Sequence, residues 1–400
     1  MPAYTINVGG VDLAPWLYKP DGAVLERLEW LTDVITSFDG SEQRIALRTF
    51  PRRYFEWATV LTDRERRTAE NLLHQRQARP FAIPVWMDSQ SLTAPVASGA
   101  NTIAIDTTTR DFRVGGILGI ATSQHIFEIA QVDAIADDLV TLAAPLQASW
   151  PIGAEIFPMR AARLPEDVRL SRFDGETSYG MMRWECIDDS DWPAATGGAT
   201  YLSHPVLTQP PNWTEDVEQS WMRKLASLDP GTGPAFWDEE GSGAMMAQSH
   251  RWLMDGRAQI DAFRRWLYAR RGRLAAFWLP TFARDFNVVA SIGSTASTID
   301  VEHCGYTDTI SQDIGRRDIR IELHNGTSYL RRITGCSEVS GTVERISIDS
   351  ALGAEVPPTD IRSVSYLDLV RLEADAAEIA WTRWDLAESR LMTRGSRNDL

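Results

Sequence analysis

Between residues 51 and 88 the pattern of apolar positions changes twice. Tyr54 to Val60 reads as a strand. Thr62 then opens a stretch in which Ala69, Leu72 and Leu73 fall at helical spacing, and Phe81 to Trp86 returns as a strand. Thr62 and Glu65 have capping-box spacing, so the hydroxyl can take the N3 amide while the carboxylate reaches back. Pro80 stops the helix. The charges Asp63, Arg64, Glu65, Arg67 and Glu70 lie largely off the apolar stripe. Such a helix covers one face of a sheet and leaves its other side to solvent or to a subunit contact.

Short β runs surround this core stretch. Residues 25–47 read as two strands joined by Asp39-Gly40-Ser41, a strong hairpin signal. From about 96 to 157 four runs recur at spacings typical of a small barrel or sandwich: 102–105, 116–120, 127–132 and 139–142. Two more strands flank Asp174-Gly175. Residues 188–211 hold Gly-Gly and several prolines and read as an irregular linker. The first 24 residues read as an arm with Trp16 and Tyr18 as anchors.

The second half repeats this order. Asp255 can cap a helix in which Phe263, Trp266 and Leu267 take the places of Ala69, Leu72 and Leu73, and Gly272 reads as its stop. Phe277-Trp278-Leu279-Pro280 matches Phe81-Ala82-Ile83-Pro84. Within the β insert, Thr298-Ile299-Asp300-Val301 matches Thr102-Ile103-Ala104-Ile105, and His324-Asn325-Gly326-Thr327 is a clear hairpin turn. The period of about 200 residues is too long for a solenoid and fits two copies of a whole domain.

Composition narrows the function classes. The net charge of −15 argues against wrapping a nucleic acid by charge neutralisation. The three cysteines, Cys186, Cys304 and Cys336, have no paired spacing and read as buried free thiols. No basic segment followed by an apolar run opens the chain, so no signal peptide is expected, and no membrane span is expected either. HExxH, GxSxG and phosphate-loop patterns are missing from the sequence, and the histidines show no i, i+4 pairing. No catalytic residue, cofactor or metal site is therefore assigned. The acidic groups Asp188-Asp189-Asp191 and Asp238-Glu239-Glu240 read as solvated loop tips. Trp150, Phe157, Tyr306 and Tyr366 could stack on sugars, although core packing is the plainer reading.

The run SFDGSEQRIALRTFPRRYFEWA, followed by the helix and then RQARPFAIPVW, resembles the distal tail proteins of long-tailed bacteriophages and gene transfer agents. It also resembles, more loosely, the tail-tube fold. The resemblance implies a virion protein of the tail tip, made in the host cytoplasm. Its domains would stand side by side in a ring between the tail tube and the baseplate hub and fibres. DNA would pass through the lumen, next to the tape measure protein. That family commonly forms hexameric rings from a single domain; carrying the domain twice departs from it and would let a trimer build a pseudo-hexamer in place of the hexamer. It also brings in tail hub proteins, which adapt sixfold to threefold symmetry. The dispersed cysteines do not match the hub's iron–sulfur cluster. A glycan-binding or receptor-binding tail module is the further alternative.

The expected fold is mainly β (α+β): two tandem tail-tube-like β-sandwich domains, each with one flanking helix and an inserted small β-barrel. The expected spans are an arm over 1–24, a first domain over 25–188 (insert about 96–158), a linker over 189–215, a second domain over 216–392 (insert about 288–362) and a tail over 393–400. The candidate ring-assembly contacts, on helix faces expected to be exposed, are Arg64, Arg67, Arg264 and Arg265.

Overall fold

A computed structural model describes residues 6–8, 10–37, 42–76, 78–223, 225–239, 244–310 and 314–396. The Asp39-Gly40-Ser41 connection and the last four residues of the tail lie outside that set, and so does Glu240. The fold is mainly β, with large antiparallel sheets.

The arm gives β1 (Ile6–Val8) and β2 (Val11–Pro15). The first frame follows as β3 (Val24–Glu29), β4 (Thr32–Thr36), β5 (Glu42–Ala46), β6 (Arg52–Thr62), α1 (Asp63–Arg76) and β7 (Phe81–Pro84). An insert runs through β8 (Gln90–Ser91), β9 (Thr102–Ala104), β10 (Ile117–Ser123), β11 (Ile126–Ala136) and β12 (Leu139–Leu142). β13 (Glu155–Arg163), β14 (Ser171–Arg172) and β15 (Thr177–Cys186) complete the unit.

The second unit begins with β16 (Thr200–Tyr201) and β17 (His204–Pro205). It continues as β18 (Glu218–Met222), β19 (Leu225–Leu228), β20 (Phe236–Glu239), β21 (Met245–Asp255), α2 (Arg257–Arg270) and β22 (Phe277–Pro280). Its insert holds β23 (Thr298–Glu302), α3 (Tyr306–Thr309), β24 (Asp318–Leu323), β25 (Ser328–Ser340) and β26 (Val343–Ile348). β27 (Ile361–Leu372), β28 (Ala376–Arg383) and β29 (Leu386–Gly395) close it.

The two units share one connectivity. In the first, β6 pairs with β15, β15 with β13 and β13 with β7. In the second, β21 pairs with β29, β29 with β27 and β27 with β22. Register agrees as well. Asp63 (φ 41°) and Gly256 (φ 93°) stand at the starts of the two helices. Their amides donate to the carbonyls of Glu176 and Asp385, each just before the returning strand. Phe81 faces Ala162 as Phe277 faces Val370.

Both helices run for 14 residues and bury one stripe: Ala69 and Leu72 on α1, and Ile260, Phe263 and Leu267 on α2. The expected Asp255 cap is not formed. Asp255 ends β21, and Gly256 holds the N-cap position without a side-chain bond. α2 ends at a left-handed Arg271 (φ 55°), with Gly272 (φ 65°) after it.

Each insert has its own core. One gathers residues from Leu92 to Ile156 and the other from Phe286 to Val364. The edges expected at 158 and 362 fall inside continuous strands. β13 pairs with β10 through Met159 and then with β7, while β27 pairs with β24 and then with β22.

The segment read as a linker packs as a second arm. In the first unit Pro15 runs parallel to Ala82, and the Trp16 amide donates to the Ala82 carbonyl. In the second, Val206 runs parallel to Trp278, and the Leu207 amide donates to the Trp278 carbonyl. Trp16, Tyr18, Val206 and Leu207 are all buried.

Candidate assembly interface

The two frames meet at β3. Its one edge pairs with β6 and its other edge with β28, antiparallel, over six residue pairs from Val24↔Trp381 to Glu29↔Ala376. One sheet therefore runs unbroken from the first unit into the second. Arg27 and Glu378 face each other across this seam at 3.1 Å.

Asp375, in the turn before β28, fastens one end of the seam. Its carboxylate accepts from the Thr32 amide and hydroxyl (both 2.8 Å) and from the Arg273 amide (3.0 Å). Its carbonyl accepts from the Trp30 amide at 3.0 Å. The β4–β5 hairpin continues the contact. Arg44 donates to the Arg273 carbonyl at 2.7 Å, and Arg271 donates back to the Arg48 carbonyl at 3.2 Å.

Beneath the seam lies a buried charge cluster. Glu26 on β3 accepts from Arg53 (2.9 Å), from Arg264 (2.6 Å) and from the Trp381 indole (2.9 Å). Arg53 also reaches Asp111, which Arg113 binds at 2.7 Å and Arg160 approaches at 3.5 Å. Asp88 accepts from the Asp111 amide at 2.9 Å and pairs with Arg257, the first residue of α2, at 2.5 Å. Arg264 also lies 4.7 Å over the Trp192 ring. Burial alone would raise the Glu26 carboxyl, but the Arg264 and Arg53 guanidiniums outweigh it and hold the group below its ordinary value. Burial raises the Asp111 carboxyl too, and Arg53, Arg160 and Arg113 outweigh it and hold the group below its ordinary value. Burial lowers Arg53 in turn, and Asp111 and Glu26 override that and raise it.

The cluster therefore stays ionised and clamps strands, insert and helix together. The neighbouring Cys186 thiol is pushed up to about 12 by burial, so it stays protonated and unreactive. Among the described residues no group of three or more His, Cys, Asp or Glu is placed to hold a metal ion. No described helix is long and apolar enough to cross a membrane.

The four arginines singled out from sequence separate. Arg64 and Arg67 are exposed on α1, and Arg67 pairs with Asp63 at 2.9 Å. Arg265 is half-exposed and pairs with Asp261 at 2.7 Å. Arg264 corrects the expectation of exposure: its side chain is 2% exposed, bound to Glu26. Its position on a helix reads as polar surface, and only the tertiary approach of β3 supplies the countercharge.

The acidic group Asp188-Asp189-Asp191 is engaged too, since Asp188 pairs with Arg160, Asp191 pairs with Arg113, and the Asp189 carbonyl accepts from both arginines. Of the proposed stacking rings, Trp150, Phe157 and Tyr306 are buried and Tyr366 is partly covered by Arg316. Cys186 is buried, but Cys304 is exposed and Cys336 half-buried, which corrects the reading of three buried thiols. Glu26 itself was not picked out from sequence. A lone glutamate at an inward position of a strand that otherwise alternates, LERLE, is the signal that could have found it.

No family model matches the chain, and no curated protein matches it significantly. Among solved structures, the N-terminal tandem CBM22 domain of Xyn10C from Paenibacillus barcinonensis aligns over 95% of this chain and 96% of its own. It does so with 10% identity and a TM-score of 0.12. A likeness at that level carries no argument about fold or function.

Proposed function

We propose that this chain is a structural protein of a phage-type tail tip, a distal tail protein that forms a ring joining the tail tube to the baseplate hub and fibres. The observation that carries this reading is the β3–β28 seam. It sets two units of one connectivity edge to edge in a single sheet. Units joined in this head-to-tail way extend in one direction, and they close into a ring when the turn per unit divides the circle.

Two units per chain make a ring of three chains equivalent to six units, which favours the trimeric pseudo-hexamer over a hexamer of chains. The same duplication suits a hub that adapts sixfold to threefold symmetry. The net charge of −15 fits a lumen that DNA crosses without sticking. The inserts extend from β13 and β27 and are placed in this reading against fibres or neighbouring baseplate proteins. Arg64, Arg67 and Arg265 remain its candidate helix-face contacts.

Negative-stain images of the purified protein test the reading. Closed rings with a countable number of subunits support it. A stable monomer that binds host polysaccharide through an insert, or hydrolyses envelope polymer, overturns it.

A further inference from the structure

The seam inside the chain has two loose ends outside it. β3 has a counterpart in β18, because β3 pairs with β6 as β18 pairs with β21. β28 has a counterpart in β14, because β28 pairs with β29 as β14 pairs with β15. Within the chain β3 joins β28. Among the described residues β18 pairs only with β21, and β14 only with β15. These two edges are different elements at opposite ends of one sheet. Each is the half of the seam that the other lacks.

The side chains agree with a contact at these edges. Every residue of β18 is exposed. Leu28 on β3 is 0% exposed, whereas Trp221 at the matching place on β18 is 61% exposed. The β19–β20 hairpin matches β4–β5, which docks on the second unit, yet it holds Leu228, Phe236 and Trp237 out in solvent. A run of exposed aromatic and aliphatic side chains on an unpaired strand edge is costly to leave open in water. The partner edge offers the partly buried apolar side chains Val168 and Leu170. Both edges carry charges of both signs, Glu215, Asp216, Glu218 and Arg223 on the β18 side and Glu166, Asp167, Arg169 and Arg172 on the β14 side, so apolar contact and the open strand edges carry the match.

We infer that the β18 edge and the β19–β20 hairpin of one copy bind the β14 edge of a second copy of this chain, reproducing between chains the β3–β28 seam found within it. The register follows from the internal one. Leu25 faces Ala380 across the seam. Glu218 holds the place of Leu25, and Ser171 holds the place of Ala380. Glu218 of one copy therefore faces Ser171 of the next, antiparallel, with Ser220 opposite Arg169 and Met222 opposite Asp167. The contact joins unlike edges, so it propagates head to tail and does not stop at a twofold dimer. It deepens the ring reading and rests on it.

The test uses the full chain with the exposed Cys304 and the half-buried Cys336 both changed to Ser. Glu218→Cys and Ser171→Cys are introduced singly and together, and a thiol crosslinker with a span of about 5 Å is applied, matching facing Cβ atoms across a strand pair. The expected result is a covalent ladder in the double variant, and in an equal mixture of the two singles a dimer and no ladder. An off-register double variant, Glu218→Cys with Asp167→Cys, gives much less product. Trp221→Glu, which replaces an exposed side chain, leaves the melting temperature unchanged and raises the concentration needed for assembly roughly tenfold or more.

Closed rings in images without the Glu218–Ser171 crosslink overturn this interface and leave the ring reading standing. The ladder together with open filaments upholds the interface and overturns the ring. Crosslinking of Glu218→Cys alone shows two β18 edges pairing with each other and overturns the proposal, as does a monomer that gives no ladder.

Discussion

His250 shows how much a single buried side chain can govern. It stands on β21 opposite Leu391, where the first unit has Trp57 opposite Met182. It is buried beside Trp252 and Phe282, and burial lowers its imidazole to about 4. The folded state therefore keeps the ring neutral, while the unfolded chain takes up a proton near the ordinary value of 6.5. Stability from this group is complete above that value and is lost as pH falls toward the folded one. Replacing it with another aromatic ring, His250→Phe, removes the dependence. Between about pH 7.5 and about pH 5, urea titrations of the native protein should lose about 2 kcal/mol more than those of the variant. Equal losses would show that the ring is already protonated or solvated in the fold.

Glu26 is the second decisive residue. Changing it to Ala leaves Arg53 and Arg264 buried without their shared countercharge, and this should cost about 3–5 kcal/mol in chemical denaturation. Glu26→Gln keeps an oxygen for the Trp381 indole and one guanidinium and should cost less. The inward place of Glu26 in LERLE marks it as buried without naming the arginines that meet it, and His250 carries no mark at all of what will cover it.

Elements were more legible than sites. The strand, helix and strand read over residues 51–88 are β6, α1 and β7, and their repeat is β21, α2 and β22. Periodicity sufficed there because each element buries a face of its own. The 25–47 stretch was read as two strands, but it holds β3, β4 and β5, since the chain leaves the sheet at Trp30-Leu31 to build the hairpin. The repeat of the arm over 200–211 was invisible because main-chain bonds carry it, and a proline-rich segment with no period gives no sign of them.

Helix ends also depended on tertiary context. Gly272 does more than stop α2: a Cβ there would lie 2.5 Å from the Asp375 carboxylate and 2.9 Å from its Cα. Gly256 also has positive φ, but a Cβ would meet nothing within 4 Å. With φ 93° and ψ 146°, a conformation essentially reserved for glycine, Gly256→Ala should therefore cost about 1–3 kcal/mol for backbone strain alone. Gly272→Ala adds to its own left-handed strain the displacement of the residue that binds Thr32 and should cost about 3–5 kcal/mol. Thermal melts of the two variants check the order, and a reversed order would show that the contact between Gly272 and Asp375 gives way freely.

At the scale of the whole molecule, the question is whether two units make two folding units. One apolar cluster contains Trp16, Trp57 and Trp184 from the first half together with Trp252, Phe263 and Trp381 from the second. Each frame keeps only a small cluster of its own, where its arm meets β7 or β22, and the seam, the Glu26 cluster and Asp375 all bind one half to the other. The inserts differ, because each surrounds a separate cluster. Frames that share a core lose most of their buried apolar area together, so they should open as one cooperative unit while the inserts open independently. Native-state hydrogen exchange can read this directly. Amides paired between β6 and β15 should show the same opening free energy as those between β21 and β29. Glu26→Ala should lower both sets by the same amount and leave β24–β25 amides protected as before. A drop confined to β6 and β15 would mean that the second frame stands without the first. The seam would then be a docking of two finished domains, and the head-to-tail contact between chains would be the weaker for it, since its template would carry little free energy even within one chain.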